Sequence, residues 1–136
     1  MLESINTKDK EVMRSLFADR GFDPKGYDAV LGKSLIDAKF NNFELIKGDV
    51  TETVPVYLEK NPGFRASIIN FDMDIEEPTE FCLDLLWPRV CRGGVLIFDE
   101  YAINEWTESN AVDRFCEKHQ LELKSTPYFA PSAYLV

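Results

Sequence analysis

The sequence predicts an α/β fold, a mostly parallel sheet with helices on both faces, preceded by a helical N-terminal segment. Three observations carry this expectation. From about residue 42 onward, strand-like apolar runs alternate with amphipathic helical stretches, the pattern that builds parallel sheets through right-handed crossovers. Two of those runs, residues 65–71 and 95–98, are nearly continuous in apolar side chains, as strands buried on both faces are. Both end in acids, Asp72 and Asp74 after the first and Asp99 and Glu100 after the second, and open α/β sheets bind ligands outside the carboxyl ends of their strands.

Taken in order, residues 7–20 carry Val12, Met13, Leu16 and Phe17 on one face, with Gly21 as a stop signal. Tyr27, Val30, Leu31, Leu35 and Ala38 repeat the helical pattern. Residues 43–46 read as a short strand ending at Lys47-Gly48-Asp49, after which Thr53 is placed to cap a helix that tolerates Pro55 in its first turn and ends near Lys60. Asn61-Pro62-Gly63 is a turn into the first buried strand. Pro78 suits the first turn of a helix apolar at Phe81, Cys82, Leu85 and Leu86 and broken by Pro88. Gly93-Gly94 turns the chain into the second buried strand. Thr107 is then placed to cap a helix with Ala111, Val112, Phe115, Cys116 and His119 on one stripe, and residues 121–124 and 133–136 read as two final strands.

With 136 residues, 45% of them hydrophobic, the chain is expected to form one domain, with residues 1–41 as its helical segment and 42–136 as its core. A net charge of -9 and a pI near 4.6 argue against a nucleic-acid partner. No apolar stretch approaches a membrane span and the first residues are not a secretory signal, so the expected location is the cytoplasm. Cys82, Cys91 and Cys116, with the single His119, signal neither a disulfide framework nor a zinc site.

The acids are the chemically informative residues. A strand period of two would point Asp72 and Asp74 to the same side. Crowded carboxylates raise one another's pKa unless a divalent cation neutralises them, so the pattern implies Mg²⁺ or a similar oxygen-loving ion. The plain alternative is that Asp72, Asp74, Asp99 and Glu100 are solvated acids among the 24 in the chain.

From residue 43 to about 118 the chain resembles the catalytic half of the macrocin O-methyltransferase family, class I enzymes that use S-adenosylmethionine (SAM) to methylate sugar hydroxyls. The matching pieces are Gly48, Val54-Pro55, Asp72-Met73-Asp74, Gly93-Gly94 through Asp99-Glu100-Tyr101, and Ala111-Val112-Asp113-Arg114-Phe115. The resemblance implies a truncated Rossmann-like methyltransferase sheet. It assigns Asp72, Asp99 and Glu100 to the metal and Asp74 to proton removal from a sugar or other small-molecule hydroxyl. A cation on the hydroxyl oxygen would lower its pKa while the carboxylate takes its proton. Glu100 stands where the family usually has Asp.

A larger departure lies upstream. Class I methyltransferases hold SAM on a glycine-rich turn after their first strand, and no such turn is present; Gly21, Gly26 and Gly32 are spread through helical sequence. Asp49 is placed either to approach an adenine or to act as a turn acid. The expectation is a fragment or shortened protein whose sheet has an unpaired edge beside the Asp72 strand, covered by residues 43–46 or by a second chain in a homodimer. Asp-x-Asp also occurs in glycosyltransferases and aspartyl phosphatases, but no nucleotide-binding region precedes it, and Ile75-Glu76-Glu77 follows where a phosphatase needs Thr or Ser. The stronger rival is a non-catalytic, methyltransferase-derived metal-binding or dimerisation domain.

Overall fold

The computed structural model describes residues 27–103 and 106–136. The expected helix over residues 7–20 lies outside them. Four α-helices, α1 (Tyr27–Asp37), α2 (Val50–Lys60), α3 (Glu76–Leu86) and α4 (Glu108–His119), accompany four strands, β1 (Ala66–Phe71), β2 (Val90–Phe98), β3 (Lys124–Ser125) and β4 (Ala133–Leu135). The sheet order is β1-β2-β4-β3. β1 and β2 are parallel, with α3 as the crossover between them, and β4 and β3 add antiparallel pairings.

The core lies on one face of this sheet. Phe71, Leu96, Phe98, Ala133 and Leu135 pack against Cys82 and Leu83 of α3 and Val112 and Phe115 of α4, with Val50 and Val54 of α2 alongside. Phe71 and Phe98 stack at 5.4 Å between ring centroids. On the other face Ile68 is 65% exposed, so β1 is not buried on both faces as its apolar run suggested. A continuous run is equally compatible with an edge strand, and among the described residues no strand pairs with the outer edge of β1.

Residues 43–46 do not form a strand and do not cover that edge. They have no regular secondary structure and are exposed, lying near α1, where a Cβ on Gly32 would meet Leu45 Cδ1 at 3.3 Å. A strand needs a neighbour for its backbone N–H and C=O groups, and local apolar pattern does not supply one.

α2 is capped by Asp49 and not by Thr53. The Asp49 carboxylate accepts from Thr51 N at 2.9 Å and Thr51 Oγ1 at 2.7 Å. Pro55 accordingly lies inside the helix rather than in its first turn. Gly48, at φ +144°, precedes the cap, and a Cβ there would meet Thr53 Cγ2 at 2.7 Å.

β2 starts earlier than the glycine pair, at Val90. It bulges against β1: Ala66 faces Val90 but Ile68 faces Val95. Gly94 is required by this close approach, since a Cβ would stand 2.9 Å from Cys91 O and 3.1 Å from Ser67 O. Cys91 is exposed, Cys82 buried and Cys116 half-buried, all free thiols. Burial pushes the Cys82 thiol up to about 11, which keeps it neutral and unreactive.

Candidate functional site

The carboxyl ends of β1 and β2 lie side by side, with Asn70 opposite Ile97 and Phe71 opposite Phe98. The first residue past β2 is still tied to β1, Asp99 N donating to Phe71 O at 3.0 Å. This register brings Asp72, Asp74, Asp99 and Glu100 to one end of the sheet, as their sequence positions suggested.

The chain does not stay extended through Asp72 and Asp74, so the period-of-two argument fails beyond Phe71. Ile75 N donates to Met73 O at 2.7 Å, closing a three-residue turn around Asp74, which takes a left-handed φ of +63°. An aspartate in that region is uncommon and marks a backbone held by its surroundings. Here the surroundings are the N-terminus of α4: Thr107 N and Glu108 N both donate to Asp74 O, each at 3.1 Å. The Thr107 hydroxyl is spent on the other helix, accepting from Glu76 N at 2.9 Å. Thr107 therefore caps α3, not the helix it precedes.

Further bonds fix the second loop. Ala102 N donates to Ser109 Oγ at 2.7 Å, and Ser132 Oγ donates to Asp99 O at 3.1 Å. Tyr101 donates its hydroxyl proton to Asp113 Oδ1 at 2.7 Å, which pushes its pKa up to about 12, and so ties this loop to α4. His119 sits 4.5 Å from the Phe115 ring and 5.8 Å from Trp87, at the far end of α4 from the acids.

The electrostatics single out three carboxyls. Burial, then Asp72 and Asp99, raises the pKa of Asp74. Burial and Asp72 raise that of Asp99. The third is Glu108, which sequence reasoning passed over. It is 0% exposed, neither carboxylate oxygen has a hydrogen-bond partner, and burial pushes its pKa up to about 7, with Asp74, Glu100 and Asp99 adding to the rise. The Glu100 amide favours the charged form without reaching hydrogen-bond geometry. In sequence Glu108 looks like an ordinary first-turn acid favoured by the helix dipole; no local signal marks its burial.

The expected metal trio, Asp72, Asp99 and Glu100, is not assembled as a ligand set. Among the described residues no group of three or more His, Cys, Asp or Glu side chains converges to hold a metal ion. Asp72 is exposed past the strand end while Asp99 and Glu100 are half-buried, and carboxylates without a counter-charge gain nothing by approaching one another. Asp49, the expected cofactor contact, is occupied as the α2 cap, and its hydrogen bonds from Thr51 hold its pKa below the ordinary value.

A model of the macrocin-O-methyltransferase (TylF) family matches residues 13–126. Among solved structures the chain is similar to the apo structure of CalS11, a TDP-rhamnose 3'-O-methyltransferase of calicheamicin biosynthesis, at 32% identity and a TM-score of 0.71, covering 84% of this chain and 54% of that one. A second CalS11 structure is matched at 32% identity and a TM-score of 0.71 over 83% of this chain and 48% of that one. The O-methyltransferase NovP shares the fold, with 21% identity and a TM-score of 0.71 over 98% of this chain and 52% of that one. The chain thus spans about half the length of these structures. Among curated proteins, none matches. No described helix is long and apolar enough to cross a membrane.

Proposed function

The chain belongs to the macrocin-O-methyltransferase (TylF) family, and from that premise we propose that it supplies the acceptor-activating end of a sugar O-methyltransferase. The observation that carries this is the gathering of Asp74, Asp99 and Glu108 where β1 and β2 end, each holding its proton more tightly than a solvated carboxyl because of burial.

Asp74 is the proposed base. A sugar hydroxyl is a poor nucleophile at neutral pH, and a carboxylate with a raised pKa matches its proton better than a freely solvated one. The amides of Thr107 and Glu108 bond the Asp74 carbonyl oxygen and not its side chain. They fix where the carboxylate stands while leaving its oxygens for the acceptor.

SAM is the methyl donor this family implies, and when bound it supplies an electrophilic methyl group on sulfur. Of the residues the resemblance singled out near the cofactor, Gly48 makes room for Thr53 and Asp49 caps a helix. Among the described residues no group of three carboxylates converges for Mg²⁺, and the proton-removing role is assigned to Asp74. The proposed acceptor is a deoxysugar hydroxyl, the class named for CalS11. A second copy pairing along the outer edge of β1 is the assembly we favour, since that edge offers unpaired backbone groups among the described residues.

The competing reading, a non-catalytic methyltransferase-derived domain, draws on the half-length match and on the capping role of Asp49. Tritium transfer from methyl-labelled SAM to TDP-rhamnose, with calorimetric titration of S-adenosylhomocysteine in parallel, separates the two. Asp74→Asn should lower transfer by about 100-fold or more. Undiminished transfer by that variant overturns the base assignment, and neither transfer nor S-adenosylhomocysteine binding by the unaltered chain favours the non-catalytic domain.

A further inference from the structure

The two most exposed large apolar side chains among the described residues are Tyr128, at 70%, and Phe129, at 77%. They are neighbours in the loop between β3 and β4, and the topology decides which end of the sheet that loop occupies. β4 runs antiparallel to β2 with Ala133 opposite Phe98, so the loop leading into β4 rises beside the end of β2 that delivers Asp99. Its base is bonded there: Ser132 N donates to Phe98 O at 3.0 Å and Ser132 Oγ to Asp99 O at 3.1 Å. Phe129 is three residues from Ser132, so the two Cα atoms stand within about 11 Å of each other.

The loop is internally tied as well. Thr126 N donates to Ser132 O at 3.0 Å, closing the base. The Thr126 hydroxyl accepts from Tyr128 N at 3.2 Å and lies against the carbonyls of Tyr128 and Pro131. The main chain is held while both rings remain in water. A fixed backbone that displays two rings pays little further ordering cost when something packs on them, and aromatic side chains are the usual apolar walls of small-molecule sites.

The acids at the neighbouring strand ends address hydroxyl groups and present no apolar surface. A sugar offers hydroxyls on its rim and C–H groups on its faces, so the acids and the rings address different parts of one ligand. We propose that Tyr128 and Phe129 form the apolar half of the acceptor subsite, packing on the C–H face of a deoxysugar ring or a ring attached to it, and so determine which acceptors bind. This rests on the acceptor class proposed above.

The test is saturation-transfer NMR titration of p-nitrophenyl α-L-rhamnoside, a neutral glycoside, against the full chain without cofactor. Replacing both rings, Tyr128→Ala with Phe129→Ala, should weaken binding about tenfold, while Phe40→Ala, an exposed aromatic bonded through its amide to the end of α1, should leave it unchanged. Retention of the far-UV circular dichroism spectrum checks folding, and Tyr128→Phe should restore most of the affinity that Tyr128→Ala loses. Equal binding by the double variant overturns the inference, as does no binding by the unaltered chain. Ring-dependent binding without methyl transfer leaves the subsite standing and removes the catalytic reading instead.

Discussion

Glu108→Gln should make the protein more stable at pH 8 while changing little at pH 4.5. Burial lifts the Glu108 pKa from its ordinary 4.5 to about 7, and one pH unit of such a shift corresponds to about 1.36 kcal/mol. The folded protein then keeps the proton to near pH 7, whereas the unfolded chain releases it near pH 4.5. Between those values the unfolded state binds fewer protons, so stability falls as pH rises, by about 3 kcal/mol in full. The penalty is absent below pH 4.5 and complete above pH 7. Glutamine keeps the shape and does not titrate, so the variant escapes the loss. Asp74 and Asp99 titrate in both proteins and largely cancel in the difference. Urea denaturation followed by circular dichroism from pH 4.5 to 8 measures the divergence, which in thermal melts should reach roughly 10 °C at pH 8. Parallel curves for the two proteins, or a variant less stable at pH 8, would refute the claim that Glu108 is buried without a partner.

Two further substitutions probe the frame around the site. Asp49→Ala should cost about 1 kcal/mol in urea denaturation at neutral pH while Asp49→Asn stays near neutral, because either oxygen-bearing side chain can accept from Thr51 N. Gly94→Ala should cost about 2 kcal/mol in the same assay, since the added methyl meets backbone oxygens of Cys91 and Ser67 that cannot move without parting β1 from β2.

Much of this arrangement was legible in the order of residues. The apolar runs before Asp72 and Asp99 are β1 and the end of β2, and the stripe of Ala111, Val112 and Phe115 is the buried face of α4. Those assignments depend on periodicity and on acids placed directly after strands, both of which are properties of neighbouring residues. The capping of α2 was misplaced by four residues because Thr53 and Asp49 are both acceptable cap chemistries, and only the backbone conformation at Asp49 chooses between them.

The sequence by itself determined that a parallel pair of strands would end in four acids, since hydrophobic period and chain order suffice for that. It could not determine whether residues 43–46 would be a strand, because β structure exists only by pairing with a backbone distant in sequence. Nor could it show that Glu108 joins the acids or that Tyr128 and Phe129 stand beside them. Glu108 is buried because the start of α4 bonds the carbonyl of Asp74 across more than thirty intervening positions, and the aromatic loop reaches the acids because β4 runs antiparallel to β2. Both are consequences of packing between segments far apart in the chain, where local propensity carries no information.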